Sequence, residues 1–207
     1  MTYLSVDLDY WILDIDQESS IAFFQNIFER EIPFKIVKEH QELLPFVDES
    51  GCTKLINVDW HSDLADTPFT ELNEGTWVNA VTWRTEGSYQ WVHPSSVGWS
   101  SLSGSCFAEV DPFAFEEVTE WSSLKKTSQL ESIDWDSIKE VGISFSPDWV
   151  NIFTVKNVLK DLCKKDGKIL QILQEYRISF LENKLQDKPK HVYKQGYYEA
   201  VAEVLST

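Results

Sequence analysis

The chain has 207 residues, 43% of them hydrophobic and 14% aromatic, which is enough to bury one substantial core and predicts a single domain over 1–207. Its formal charge of -16 excludes a nucleic-acid binder of the usual kind, since phosphate binding rests on clustered Lys and Arg. The same charge suits cations, either metal ions or a guanidinium or ammonium substrate, although most of the 34 Asp and Glu serve only to solubilise the surface.

Residues 2–8, "TYLSVDL", predict a strand rich in β-branched and aromatic residues. Ser19 or Ser20 then reads as the N-cap of a helix with Ile21, Phe24, Ile27 and Phe28 on one face. "PFKIV" at 33–37 predicts a second strand, "EHQELLPFVDESG" a helical turn or two ending before Gly51, and "KLINVDW" a third strand. Strands alternating with helices imply an α/β fold, a mostly parallel sheet covered on both faces in a three-layer αβα sandwich.

From Thr67 to Ser137 the pattern is weaker. "GTWVNAVTW" fits a buried helix or a strand, "YQWVHP" fits a strand, and "SSVGWSSLSGSC" has the composition of a loop. Periodicity returns with a strand at 141–146, "VGISFS". A helix follows with Val155, Val158, Leu159 and Leu162 at helical spacing, Lys160, Lys164 and Lys165 near its end and Gly167 as its stop. Another helix is expected over 168–186 before Pro189, and a last short one in "HVYKQGYYEAVAEVLST". Cys52, Cys106 and Cys163 are widely spaced and form no CxxC pair, so neither a disulfide framework nor a thiolate zinc site is indicated. With no basic leader and no apolar run of about 18 residues, a cytoplasmic protein without membrane contact is the expectation.

Ligands of open α/β sheets bind beyond the carboxyl ends of the parallel strands. Three stretches put acidic or imidazole groups at such ends: Asp7 and Asp9 in "LSVDLDYW", His40 in "KIVKEH", and Asp59, His61 and Asp63 in "INVDWHSDLAD". Taken singly, each has a bland reading; the last could be an exposed acidic turn, and a lone His40 could be structural. An ionised carboxylate in an apolar strand is costly without a partner, and side chains at i, i+2 and i+4 of an extended chain share one face. Together the six heads could enclose two divalent cations about 3.5 to 4 Å apart. Four carboxylates, two imidazoles and no thiolate favour a harder cation such as Mn(II), with Fe(II), Co(II) and Zn(II) as competitors.

"SVDLDYW" resembles the S-x-D-x-D motif, "VDWHSDL" the D-x-H-x-D motif and "KEH" the earlier ligand histidine of the arginase and agmatinase (ureohydrolase) superfamily. "VKEHQELLPF", "VDWHSDL", "GTW" and "ISFSPDW" together are similar to an arginase-like family that includes the peptide arginases, which convert arginine to ornithine in ribosomally made peptides. The resemblance covers the first 80 residues and recurs at 141–149. It implies an arginase-like fold with an N-terminal D-x-D strand, and two Mn(II) ions. One would be held by His40, Asp59, Asp63 and Asp7, the other by His61, Asp59, Asp7 and Asp9, with Asp59 and Asp7 touching both. It further implies a metal-bridging hydroxide that attacks the guanidinium carbon of an arginine-containing precursor peptide, releasing urea and leaving ornithine. Two features depart from the family. Classical arginases carry the S-x-D-x-D strand late in the chain, and their proton-shuttle histidine has no counterpart at Val78. His93 is the nearest replacement, or else a structural histidine. Glu74 is the candidate to hold the substrate cation, or else an exposed loop residue. Trp60, Trp77 and Trp91 either line the cleft or pack in the core. Two rival functions stand beside this one: a metal-dependent amide hydrolase of the deacetylase type using one zinc, and a non-catalytic peptide-binding module on the same fold.

Overall fold

The computed structural model describes residues 1–11, 17–64, 72–94, 120–146, 150 and 152–175. Six strands form one sheet: β1 (Thr2–Asp7), β2 (Phe34–Val37), β3 (Lys54–Val58), β4 (Ser88–Val92), β5 (Ser123–Thr127) and β6 (Ile138–Ser144). Their order is β2-β6-β1-β3-β4-β5, and every pairing is parallel, so the sheet is wholly rather than mostly parallel. The helices are α1 (Gln17–Glu29), α2 (Leu44–Glu49) and α3 (Ile152–Lys165). The chain forms two compact units, Met1–Tyr10 with Glu31–Phe145, and Trp11–Arg30 with Ser146–Thr207. The sheet and α2 belong to the first.

Alternation along the central strands explains why the sheet is buried on both faces, as the three-layer αβα expectation requires. Leu4 and Val6 of β1, Ile56 and Val58 of β3 and Val92 of β4 point one way and are wholly buried. The other face starts apolar, with Tyr3, Leu55 and Tyr89 in register, and packs against Leu43, Val47, Trp77, Val78, Val81 and Trp121. Two residues further along, Ser5 pairs with Asn57, which pairs with Trp91; two further again stand Asp7, Asp59 and His93. This face therefore changes from apolar to polar toward the carboxyl edge of the sheet.

Strand order adds a second constraint. From β1 the chain leaves for β2 on one side, whereas from β3 it proceeds to β4 and β5 on the other. The connections diverge between β1 and β3, the place where open α/β sheets form binding sites. Asp7 and Asp59 each lie one residue beyond the Val6–Val58 pair at that point.

In the second unit, the periodicity of α3 is as expected, with Val155, Val158, Leu159 and Leu162 buried. Helix α1 begins earlier than a serine cap would place it; Ser19 Oγ instead accepts a hydrogen bond from Trp11 Nε1 at 3.1 Å. Its buried face is Ser20, Phe23, Phe24 and Ile27, with Ile21 and Phe28 at the margins, because Phe23 and Phe24 both pack against the Trp11 ring. The expected helix after Gly167 is present over 168–175; its remainder, the final helix and the serine-rich loop with Cys106 lie outside the described residues. "GTWVNAVTW" is neither a long helix nor a strand but holds a 3-10 turn, Trp77–Ala80. Cys52 and Cys163 are free thiols. No helix among the described residues is long and apolar enough to cross a membrane.

Gly142 lets the segment carrying His40 settle on the sheet. A Cβ at Gly142 would stand 2.6 Å from Leu43 Cδ2 and 2.7 Å from the Tyr3 hydroxyl, and Leu43 ends the 3-10 turn His40–Leu43. Both neighbours are fully buried and have no room to retreat. Gly142→Ala should cost about 1–3 kcal/mol in urea unfolding. Gly167→Ala, where nothing lies within 4 Å of the added carbon, should stay within about 0.5 kcal/mol of wild type.

Candidate metal centre

All six predicted ligands lie in the first unit, at the carboxyl ends of β1, β2 and β3. Asp7 is the last residue of β1, and Asp9 follows in the 3-10 turn Leu8–Trp11. His40 opens the 3-10 turn after β2, and Asp59 directly follows β3. Asp7, Asp9, His40, Asp59 and Asp63 are all buried; the His61 side chain keeps 30% of its surface accessible.

The convergence of Asp59, His61 and Asp63 does not come from strand pleating, because β3 ends at Val58. It comes from two local bends. The His61 N–H donates to Asp59 Oδ1 at 2.8 Å, and the Asp9 N–H donates to Asp7 Oδ1 at 3.0 Å. D-x-H and D-x-D thus form the same Asx-type turn, in which an aspartate side chain accepts the amide two residues on. Asp63 has φ of 54°, in the left-handed region that Asp tolerates better than most side chains. That reversal returns its carboxylate toward His40.

His40 Nδ1 lies 2.9 Å from Asp63 Oδ2, 3.0 Å from Asp59 Oδ2 and 3.2 Å from Asp7 Oδ2. On the other side of Asp59, His61 Nδ1 lies 3.7 Å from Asp59 Oδ1 and 3.4 Å from Asp9 Oδ2. Asp59 therefore offers one oxygen to each histidine. Asp7, His40 and Asp59 form one trio and Asp9, Asp59 and His61 a second, with ligand atoms within 4.8 Å of one another in each, so these groups could hold a metal ion. The donor chemistry fits a divalent cation. One imidazole N–H cannot serve three carboxylate oxygens, whereas a cation accepts several at once.

The electrostatics agree. Burial and then the charge of Asp63 push Asp59 up to about 7. Burial and then Asp59 raise Asp9. For His40, burial opposes the cation, but the charge of Asp63 and hydrogen bonds with Asp59, Asp63 and Asp7 prevail and hold it well above 6.5. For His61, burial is likewise overcome by the hydrogen bond and charge of Asp9, which bring it up to about 10. The cluster retains protons where isolated groups would release them, because burial disfavours the carboxylates' charge and neighbouring carboxylates add to it.

Ser5, Asn57 and Tyr89 have no role in the sequence reading, and Trp77, expected there to line the cleft or pack in the core, also bonds to a ligand. Ser5 Oγ lies 2.6 Å from His40 Nε2. Asn57 Nδ2 donates to Asp59 Oδ2 at 3.2 Å and to Asp63 Oδ2 at 3.4 Å. Trp77 Nε1 donates to Asp63 Oδ2 at 2.6 Å, while its ring lies 4.9 Å from that of His40. The Tyr89 hydroxyl donates to the Ser62 carbonyl at 2.6 Å, and burial followed by the charges of Asp63 and Asp59 raises its pKa well above 10. The available signal was that Ser5 and Asn57 are polar, lie inside apolar strands, and each precede an aspartate by two residues on the same face.

The remaining candidates fall outside this core. Glu74 is exposed in the turn before Trp77, with no hydrogen bond or ion pair to the cluster among the described residues. His93 follows β4, half-buried, its ring 4.8 Å from that of Trp91 and its Nδ1 2.9 Å from the Pro94 carbonyl. Trp91 is fully buried and donates to the Asp59 carbonyl at 3.0 Å; Trp60 is half-buried. Trp77 and Trp91 are thus packing residues that also bond to the site's own groups. No protein-family model, curated protein or solved structure matches the chain.

The raised pKa values carry a sign. Ionising Asp59 between 3.8 and about 7 progressively destabilises the metal-free fold, and the stabilising charge on His61, fully present below 6.5, fades as pH rises toward about 10. A divalent cation must displace these same protons, so its binding strengthens over that range. The rise in melting temperature on adding Mn(II) at fixed concentration should be larger at pH 8 than at pH 6. A rise independent of pH would contradict the ligand assignment.

Proposed function

We propose that the chain is a binuclear manganese hydrolase that converts arginine within a peptide to ornithine and releases urea. The observation that carries this reading is the pair of trios sharing Asp59, whose Oδ2 faces His40 and whose Oδ1 faces His61. A single-zinc amide hydrolase would need only one of them. When bound, two Mn(II) ions supply Lewis-acid charge that makes water a nucleophile near neutral pH.

The residues divide the remaining work. Asp7, Asp9, Asp59 and Asp63 would offset the charge of two Mn(II) ions, and the overall acidity of the chain favours a cationic substrate. Asp59, which belongs to both trios, and Asp7, which the resemblance gives the same part, would hold the two ions together, while His40, Asp63, Asp9 and His61 would complete their separate ligand sets. His93 is the candidate to deliver a proton to the leaving amine. Its Nδ1 lies against a carbonyl, which can only accept, so in the neutral ring the proton sits on Nδ1 and the Nε2 lone pair would take the proton released as water adds and return it to the leaving amine. Glu74, being exposed, is suited to meet a substrate cation at the surface rather than within the cluster. The preference for a peptide rests on resemblance to the peptide arginases. Water adds to the guanidinium carbon, the bond from that carbon to the substrate's side-chain nitrogen breaks, and that nitrogen takes the proton as ornithine forms.

Mass spectrometry of arginine-containing peptides incubated with the Mn-loaded protein tests the proposal directly. Each converted arginine should lose about 42 Da, with one urea released, as the hydrolytic chemistry demands. Free arginine at the same concentration should react at least about tenfold more slowly, a difference of roughly 1.4 kcal/mol in transition-state stabilisation. Equal turnover of free arginine would end the peptide assignment.

Asp59→Asn should reduce both metal content and urea release to background, because it neutralises the one carboxylate that gives an oxygen to each set. Asp9→Asn should retain one metal ion per chain. Elemental analysis beside the urea assay distinguishes them, and two ions with near-normal turnover in Asp59→Asn would remove Asp59 from the centre of the site.

A further inference from the structure

The two halves of the cluster are built differently. Around His40, side chains that are not themselves ligands hold the donors from behind. Ser5 Oγ meets His40 Nε2 at 2.6 Å, Trp77 Nε1 meets Asp63 Oδ2 at 2.6 Å, and Asn57 Nδ2 joins Asp59 to Asp63. Ser5, Asn57 and Trp77 are each fully buried. Around His61, the carboxylates are held by main-chain amides, Asp9 Oδ1 by the Trp60 N–H at 3.4 Å and Asp59 Oδ1 by the His61 N–H at 2.8 Å. The His61 ring is partly accessible, and its contacts with Asp9 and Asp59 are 3.4 and 3.7 Å, against 2.9–3.2 Å around His40.

We propose that Trp77, with Ser5 and Asn57, preassembles one half of the cluster, so that a divalent cation fills the position around His40 first and the position around His61 second and more weakly. This rests on the binuclear reading above and adds an order and a cause to it. Donors already held at close range lose little freedom when the ion arrives, whereas the partly accessible His61 imidazole, at longer range from its carboxylates, must shift and give up part of its hydration. Groups that orient ligands from behind typically contribute 10- to 100-fold in metal affinity. Trp77 is the most informative of the three, because it restrains two donors at once, Asp63 through its N–H and His40 through ring contact at 4.9 Å. It is a positioning residue and touches no substrate.

Mn(II) titrated into the metal-stripped protein, followed by calorimetry and by electron paramagnetic resonance, tests this without reference to turnover. Calorimetry should resolve two binding events of total stoichiometry two, their affinities separated by at least about tenfold. The first equivalent should give the spectrum of isolated Mn(II), and spin coupling should appear only with the second. Trp77→Phe keeps the ring and removes the donor, and should weaken the tighter event by about 10- to 100-fold. Ser5→Ala, a smaller change, should weaken the same event and provides the test if Trp77→Phe fails to fold. His61→Ala should abolish only the weaker event. Two events of equal affinity, coupling from the first addition, or loss of the weaker event alone in Ser5→Ala would each overturn the order while leaving two metals in place. A total stoichiometry of one or zero would overturn the binuclear reading itself, and the order with it.

Discussion

His40 Nδ1 faces three carboxylate oxygens within 3.2 Å, and much of the first unit can be understood as the means of keeping that crowded arrangement in place. Asp7, Asp59 and Asp63 repel one another, and burial makes their charges more costly. Left to itself, such a cluster would open to water. It is held because β1 and β3 pair in parallel, ending together at Val6 and Val58, and because Gly142 leaves room for Leu43 and hence for the turn that begins at His40. The sheet supplies the force that holds like charges together, and a divalent cation is what such an arrangement suits.

The same constraint explains the protonation of the cluster. Where no cation is available, protons take its part, and Asp59, Asp9, His40 and His61 all hold theirs to higher pH than usual. A purely structural ion pair would shift its two partners in opposite senses, acid down and base up. Here the buried acids move up with the bases, first because burial disfavours their charge and then because neighbouring carboxylates add to it.

Much of this was legible in the sequence, and for identifiable reasons. Strands β1, β3 and β6 are buried on both faces and so appear as apolar runs, and α3 shows a clean helical period. The ligands stand out as acids and histidines placed just where those runs end. β5 was missed because "SLKKT" is an exposed, lysine-bearing edge strand, a composition that discourages further strand pairing and leaves no apolar face to recognise. The start of α1 was misplaced because Ser19 bonds to Trp11, a partner that sequence spacing does not reveal. The bend at Asp63 was also invisible, since a positive φ at an aspartate depends on the contacts that reward it. Ser5 and Asn57 escaped notice, and Trp77 was expected only as a cleft or core residue, because the importance of each lies in which ligand it meets across 35, 6 and 14 residues of sequence.

The position of β1 in the sheet has a consequence for how the chain acquires its final form. β1 precedes β3 and β6 in the chain, yet it lies between them, and its residue Thr2 pairs with Ile138. Parallel pairings across such separations are slow to form, because long loops must close before the contacts that stabilise them exist. Asp7 cannot be fixed beside Asp59 until β3 has docked, and β2, with the turn bearing His40, reaches the sheet only through β6. The ligands therefore become a site among the last events of folding. A metal ion held there would be acquired by a nearly finished protein, and its part would be to lock the native state against unfolding rather than to guide the chain toward it.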